Sequence, residues 1–274
     1  MGETFKKVEK VSRVFKTKES VLSVKNISIF RHNQKQPLLD AINFDLYPGE
    51  ILGCAGISGN GLGQLESVLL GSLPLSKGEI TYHDQILSSE HKKAKTRELG
   101  LPFVPSDRLY TGSSLAAPVA ENMIATSRDN FFPPFGIRKK KIEAYTRRLI
   151  DAYHIKSEMY QAIGTLSGGN IQKVILAREI DKIKDLIICC EPTWGLDTTS
   201  THFIHQEIIK LRNTGVGVLL LSSNLDEILS LSDRLLVFSR GAVVAQFNQE
   251  EITALTKESL GPFLLGNAVK RIRT

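Results

Sequence analysis

The apolar run Ile51-Leu52-Gly53-Cys54-Ala55 feeds directly into Gly56-Ile57-Ser58-Gly59-Asn60-Gly61-Leu62-Gly63. A run this short, bounded by Pro48-Gly49-Glu50 before and glycine after, reads as a buried strand, and Leu65, Val68 and Leu69 then recur at helical spacing. Strand, glycine-rich turn and helix in succession need a sheet interior to receive the strand and a helix packed back on it, which points to an α/β fold. The glycines have the spacing of the phosphate loop G-x-x-x-x-G-K-[ST], in which backbone N–H groups face an anion at a helix N-terminus. Leu62 holds the lysine position of that pattern and Gly63 the Ser/Thr position that would hold Mg²⁺. From the loop alone two readings stay open, a phosphate cradle and a packing turn.

The rest of the chain supplies the sheet. A first strand starts near Val21, where Leu22-Ser23-Val24-Lys25 alternates apolar with polar, and a second runs near Ile42 to Leu46. Further on come a helix from Asn170 to Ile180, a buried strand Leu186 to Cys190, a helix around Phe203 to Leu211 and a strand Gly217 to Leu221. Such alternation predicts a mostly parallel sheet with right-handed crossovers. Between about 103 and 165 the texture changes. Pro105, Pro118, Pro133 and Pro134 punctuate it, and Ile142, Tyr145, Leu149 and Tyr153 share one helical face, as an inserted helical subdomain would. Residues 1–20 and 248–274 are charged and read as a linker and a C-terminal tail flanking a domain over 21–247.

Composition narrows the class. Thirty-five Lys and Arg against 29 Asp and Glu leave a net charge of only +6 over 274 residues, spread in short clusters such as Arg138 to Lys141, so solvated helix faces are favoured over a nucleic-acid patch. No apolar stretch approaches the roughly 18 residues of a membrane-spanning helix, and the N-terminus lacks the apolar core of a secretory signal, so a cytoplasmic, soluble or peripheral protein is expected. Cys54, Cys189 and Cys190 lack metal-ligand spacing and read as strand interior. His202 and His205 read as a solvated helix face, and no metal site is expected.

Three downstream motifs give the loop its company: Leu166-Ser167-Gly168-Gly169-Asn170, then Ile171-Gln172-Lys173-Val174-Ile175-Leu176-Ala177-Arg178, then Cys190-Glu191-Pro192-Thr193-Trp194-Gly195-Leu196-Asp197. In this order they resemble the ATP-binding domains of ABC transporters over about residues 21–245. The spelling LSGGN-x-QKVxLARE looks most like the second, C-terminal ATP-binding half of the simple-sugar and nucleoside importer branch. The resemblance implies a P-loop NTPase (RecA-like) core with a mostly parallel sheet, an N-terminal antiparallel β subdomain and an inserted α-helical subdomain. It also implies ATP and Mg²⁺ as ligands, a first ATP-binding domain (fused or separate), membrane permease subunits and a periplasmic or lipid-anchored solute-binding protein as partners, and a place at the cytoplasmic face of the cell membrane.

It assigns roles residue by residue. Gly56, Ser58, Gly59, Asn60, Gly61, Leu62 and Gly63 are the phosphate loop. Ser167, Gly168, Gly169 and Asn170 are the signature that meets the γ-phosphate on a partner domain closed head to tail. Glu191 stands at the position of the general base, Asp197 in the loop linking two sites, and Trp194 at the seam between domains. Ser106 falls where the family has the Q-loop glutamine, Ser223 where it has the switch histidine, and Cys190 where it has the Mg²⁺-binding aspartate. Phe30, 26 residues before Gly56, is either the aromatic that stacks on adenine or an ordinary edge aromatic.

Each charge-assisted hydrogen bond lost from such a site costs roughly 1.5 to 3 kcal/mol, and the losses at Leu62, Gly63, Cys190, Ser106 and Ser223 coincide. The expectation is an intact signature acting in trans and a degenerate pocket of its own that hydrolyses ATP slowly or not at all. Two other readings are a non-transport ABC ATPase acting on nucleic acid and a structural pseudo-ATPase that never binds nucleotide. The long coiled coils, zinc insertions or second intact copy expected of the former are missing.

Overall fold

A computed structural model describes residues 19–30, 36–96, 98–134 and 136–270. Two sheets share the core. The first is antiparallel and four-stranded, in the order β2-β1-β4-β5, from β1 (Leu22–Ile29), β2 (Leu39–Leu46), β4 (Lys77–Tyr82) and β5 (Gln85–Ser89). The second runs β10-β9-β3-β8-β7-β6, from β3 (Ile51–Ala55), β6 (Phe103–Val104), β7 (Leu186–Cys190), β8 (Gly217–Ser222), β9 (Arg234–Ser239) and β10 (Ala242–Phe247). All its pairings are parallel except β10 with β9.

The predicted α/β class, with its parallel core and antiparallel N-terminal sheet, is what the chain adopts. Every residue of β3, β7 and β8 is buried, as strands covered on both faces must be. One apolar cluster fills the space between the large sheet and its helices, and a second lies between the two sheets.

The glycine turn leads into α1 (Leu62–Leu69). The helical segment holds α2 (Val119–Ile124), α3 (Lys139–Ala152) and then α4 (Gly168–Ile180), whose start returns the chain to the core. Its boundary needs correcting: Phe103 and Val104 pair with Ile188 and Cys189, so the insertion begins after a core strand rather than at 103. Beyond β7 lie α5 (Thr198–Asn213) and α6 (Leu225–Leu231).

Residues 248–268 are not a tail. Asn248 and Glu251 form a capping box for α7 (Gln249–Thr253), and α8 (Lys257–Leu264) buries Leu260 and Leu264. The periodicity was masked by charged and small residues interleaved with those few anchors. The linker expectation for 1–20 falls, up to residue 18, outside the described residues.

Several charged side chains are interior. Asp233 accepts from Arg212 through both carboxylate oxygens, at 3.0 and 2.8 Å, and from the Ile51 amide at 2.9 Å, tying α5 to the start of β3. With Arg212 only 2% exposed, removing either partner would strand a buried charge. Glu227 is buried as well. Its Oε1 accepts from the Thr193 hydroxyl and lies 2.9 Å from His205 Nε2, so His205 belongs to a half-buried pair rather than a solvated face.

Candidate functional site

Parallel strands that end together leave a crevice at their carboxyl edge, and ligands of open α/β sheets bind there. Ala55, Cys190 and Ser222 close β3, β7 and β8 at that edge. A cavity of about 510 Å³ opens above them. It gathers Gly56, Ser58, Gly59, Leu62, Gly63, Ser106, Glu191 and Ser223, which come from four separate stretches of sequence. Among its other lining residues are Glu66, Asp107, Cys190 and Trp194.

The charged side chains that line this cavity are acidic. Among the described residues that line it, the charged ones are Glu66, Asp107 and Glu191, with no Lys, Arg or His. Glu66, one helical turn past Leu62, takes two hydrogen bonds from Ser106, one from the amide at 2.8 Å and one from the hydroxyl at 2.7 Å. Glu191 has φ +44, a left-handed backbone that non-glycine residues adopt at a cost of order 1–3 kcal/mol. Its Oε1 accepts from the Ser223 amide at 2.8 Å. Burial raises the Glu191 pKa above the ordinary carboxylate value, and the bonds from Ser223 pull it back down.

Three positions that the resemblance ties to Mg²⁺-ATP carry other side chains here. Leu62 offers a methyl-tipped side chain folded toward Gly56, Gly63 has no hydroxyl, and the Cys190 thiol is fully buried and held far above its usual pKa by that burial. Among the described residues no group of three or more His, Cys, Asp or Glu side chains is arranged to hold a metal ion. Leu62, Gly63 and Cys190 thus stand where the resemblance would place a lysine, a Ser/Thr hydroxyl and an aspartate.

Three positions expected around the bound nucleotide of this pocket are not in its lining. The Asn60 side chain is turned away: its amide donates to the Leu264 carbonyl at 2.9 Å and its oxygen accepts from the Arg240 amide at 3.3 Å, so it pins the loop to α8. The Asn60 amide is likewise engaged, with the Ile57 carbonyl at 3.0 Å. Gly61, at φ +108, is required by packing, since a Cβ there would meet Leu39 Cδ2 at 2.9 Å and Gly241 Cα at 3.2 Å. Phe30 is 46% exposed at the end of β1, donates its amide to Ser76 Oγ and lies under the Lys77 ammonium, 5.6 Å from the ring centroid.

The signature residues form a second locus. Ser167 caps α4, its hydroxyl accepting from the Asn170 amide at 3.4 Å and side chain at 2.9 Å. Asn170 Oδ1 in turn accepts from the Lys156 amide at 2.9 Å, which fixes the cap to the preceding loop. Gly168 and Gly169 open the first turn of a 13-residue helix, where unpaired N–H groups and the macrodipole favour an anion. Asp197 stands beside Gly169 and caps α5, accepting from the Ser200 amide at 2.9 Å and hydroxyl at 2.7 Å; those bonds hold its pKa below the usual value. Sequence reasoning missed Glu66 and Arg108. Glu66 was visible as the i+4 neighbour of Leu62 on one helix face. Arg108, whose guanidinium lies against Gly168, carried no such signal.

A buried strand, a glycine turn and a helix at the edge of a parallel sheet define a P-loop type of α/β domain. The family model described as ABC transporter matches residues 39–194, and the chain belongs to that family. It is 33% identical over 92% of its length to the nucleoside import ATP-binding protein NupA of Lactococcus lactis subsp. cremoris, and covers 49% of that protein. It is 33% identical over 89% of its length to the galactose/methyl galactoside import ATP-binding protein MglA of Fusobacterium nucleatum, again covering 49%. The chain therefore spans about half the length of the curated relatives it matches. Among solved structures, a nucleotide-free ATP-binding cassette from an ABC transporter superposes with a TM-score of 0.72 at 19% identity, covering 89% of this chain and 98% of that one. The dimeric cassette MJ0796, bound to ADP and Pi in a post-hydrolysis state, gives 0.71 at 17% identity, covering 83% of this chain and 98% of that one. No helix among the described residues is long and apolar enough to cross a membrane.

Proposed function

We propose that this chain is an ATP-binding half of a sugar or nucleoside importer, one that completes a partner domain's ATP site while its own pocket turns over little or no nucleotide. The observation that carries the reading is the contrast between two loci of one fold. Among the described residues, the phosphate-loop cavity is lined by three carboxylates and no cation. The signature corner keeps its hydroxyl and both glycines at the start of α4. In the partner's site, Ser167 and the first N–H groups of α4 would donate to the terminal phosphate and stabilise charge that develops as it leaves, a contribution of about 2.7 to 4 kcal/mol for a well-placed donor.

The partners of this reading are a first ATP-binding domain, on the same polypeptide or another, permease subunits and an external solute-binding protein, with the chain peripheral at the cytoplasmic membrane face. The names of the relatives support sugars or nucleosides as cargo. ATP is the shared substrate of the two domains, and no catalytic step runs through Mg²⁺ at this chain's own cavity. The test is turnover by the assembled importer carrying Ser167→Arg, which places a bulky cation where the phosphate must dock. Turnover is expected to vanish; wild-type rates would overturn the reading.

A further inference from the structure

Arg108 is built into the signature corner. The Asp107 carboxylate accepts from the Leu109 and Tyr110 amides at 3.0 and 3.1 Å, and its carbonyl accepts from the Gly112 amide at 2.8 Å, so the turn that carries Arg108 is closed on itself. From this turn the Arg108 side chain reaches across to the loop after β7, where Nη1 donates to the Trp194 carbonyl at 2.5 Å. The guanidinium then lies over the first residue of α4. A Cβ added to Gly168 would sit 3.2 Å from Nη2 and 3.5 Å from both Cζ and Nε, and one on Gly195 would sit 3.5 Å from Nη2. A side chain at 168 would press on the guanidinium and shift it by a few tenths of an ångström.

The electrostatics are unfinished without a ligand. A guanidinium beside a helix N-terminus puts a full positive charge next to the partial positive charge of the macrodipole. Among the described residues no carboxylate lies within ion-pair distance of Arg108. Asp197, the acidic residue next to Gly169, is engaged by Ser200. A half-buried cation and a helix N-terminus converging on one spot, with a planar fork of N–H donors still available, match the geometry of a phosphate group.

We propose that Arg108 is a second trans-acting ligand of the nucleotide: its guanidinium, held flat on Gly168 by the Trp194 carbonyl, binds terminal phosphate oxygens of the triphosphate carried by the partner ATP-binding domain. This rests on the trans reading of the signature given above. It adds the cation that a hydroxyl and two amides lack, and it couples the Ser106–Asp107 turn to the occupancy of the partner's site.

The test uses the assembled importer with ATP and ADP as probes, and compares wild type, Arg108→Ala, Arg108→Lys and Ser167→Arg. Arg108→Ala is expected to weaken ATP binding by roughly 10- to 150-fold, the range for a hydrogen bond to a charged group, and to leave ADP binding and Tm within error. Arg108→Lys is expected to restore part of the loss, because charge returns without the fork. Equal losses for ATP and ADP, or a fallen Tm with no ATP-specific loss, would mean that Arg108 only props the Trp194 loop, and the proposal fails. Unchanged ATP affinity in Arg108→Ala, with Ser167→Arg inactive, overturns the role of Arg108 and leaves the trans reading standing. An active Ser167→Arg importer overturns the trans reading and this proposal with it.

Discussion

The phosphate-loop cavity and the signature corner are both made of glycines at the start of a helix, yet different side chains surround them. Around α1 the lining of the opening includes Leu62, Glu66, Asp107 and Glu191, and the two carboxylate oxygens of Glu66 already hold Ser106. Around α4 the hydroxyl of Ser167 caps the helix, the Arg108 guanidinium lies alongside Gly168, and the one carboxylate beside Gly169, that of Asp197, is held by Ser200. A helix N-terminus is thus a phosphate site only when its neighbours leave the partial positive charge uncancelled. Glycine spacing alone does not decide which of the two a loop has become.

Four substitutions would break or sharpen this contrast. The largest effect is expected from Gly169→Val, because a Cβ there meets Ser200 Oγ at 2.2 Å and disturbs the Asp197 cap together with the α4 donors. Turnover of the assembled importer should fall by at least about 100-fold, the usual consequence of losing one preorganised donor. Glu66→Ala removes both acceptors of Ser106. Amide exchange at Ser106 should quicken by roughly tenfold or more, read by hydrogen exchange, with transport activity changed far less.

Glu191→Gln probes the pocket through pH. Burial lifts the folded-state pKa of Glu191 above its unfolded value, so the stability linked to this proton is complete below the unfolded pKa and is lost as pH rises through the folded one. Wild type should therefore lose stability relative to Glu191→Gln as pH climbs from 4 to 8, with the Tm advantage of the variant largest at pH 8. Coincident Tm curves would show that the carboxylate is well solvated. The smallest effect is expected from Leu62→Lys, which returns one cation to a cavity that still lacks a hydroxyl at Gly63 and a carboxylate at Cys190. ATP affinity should rise by less than tenfold, by calorimetry, with hydrolysis unchanged.

Much of this was legible in the sequence. Buried parallel strands announce themselves as short apolar runs, so β3, β7 and β8 were readable to within a residue. The helix expected from Asn170 to Ile180 begins two residues earlier, at Gly168, while the signature role of Ser167 to Asn170 was legible only through the family resemblance. Long-range polar pairings were not. Asn60 looks like a loop residue facing phosphate until Leu264, 204 positions away, supplies the carbonyl that turns it around. Asp233 and Glu227 look solvated until Arg212, His205 and Thr193 arrive from other elements. The helices after residue 248 escaped notice because two buried leucines anchor α8, which is too few for a periodic pattern.

The most direct measurement is single-turnover hydrolysis of Mg²⁺-ATP by this chain alone, at protein concentrations well above that of the nucleotide. The contrast between the two loci predicts no phosphate release above the buffer blank, and hydrolysis that appears only when a partner ATP-binding domain is added. Rapid release by the unaccompanied chain, at the 1 to 100 s⁻¹ scale of efficient phosphoryl transfer, would contradict it.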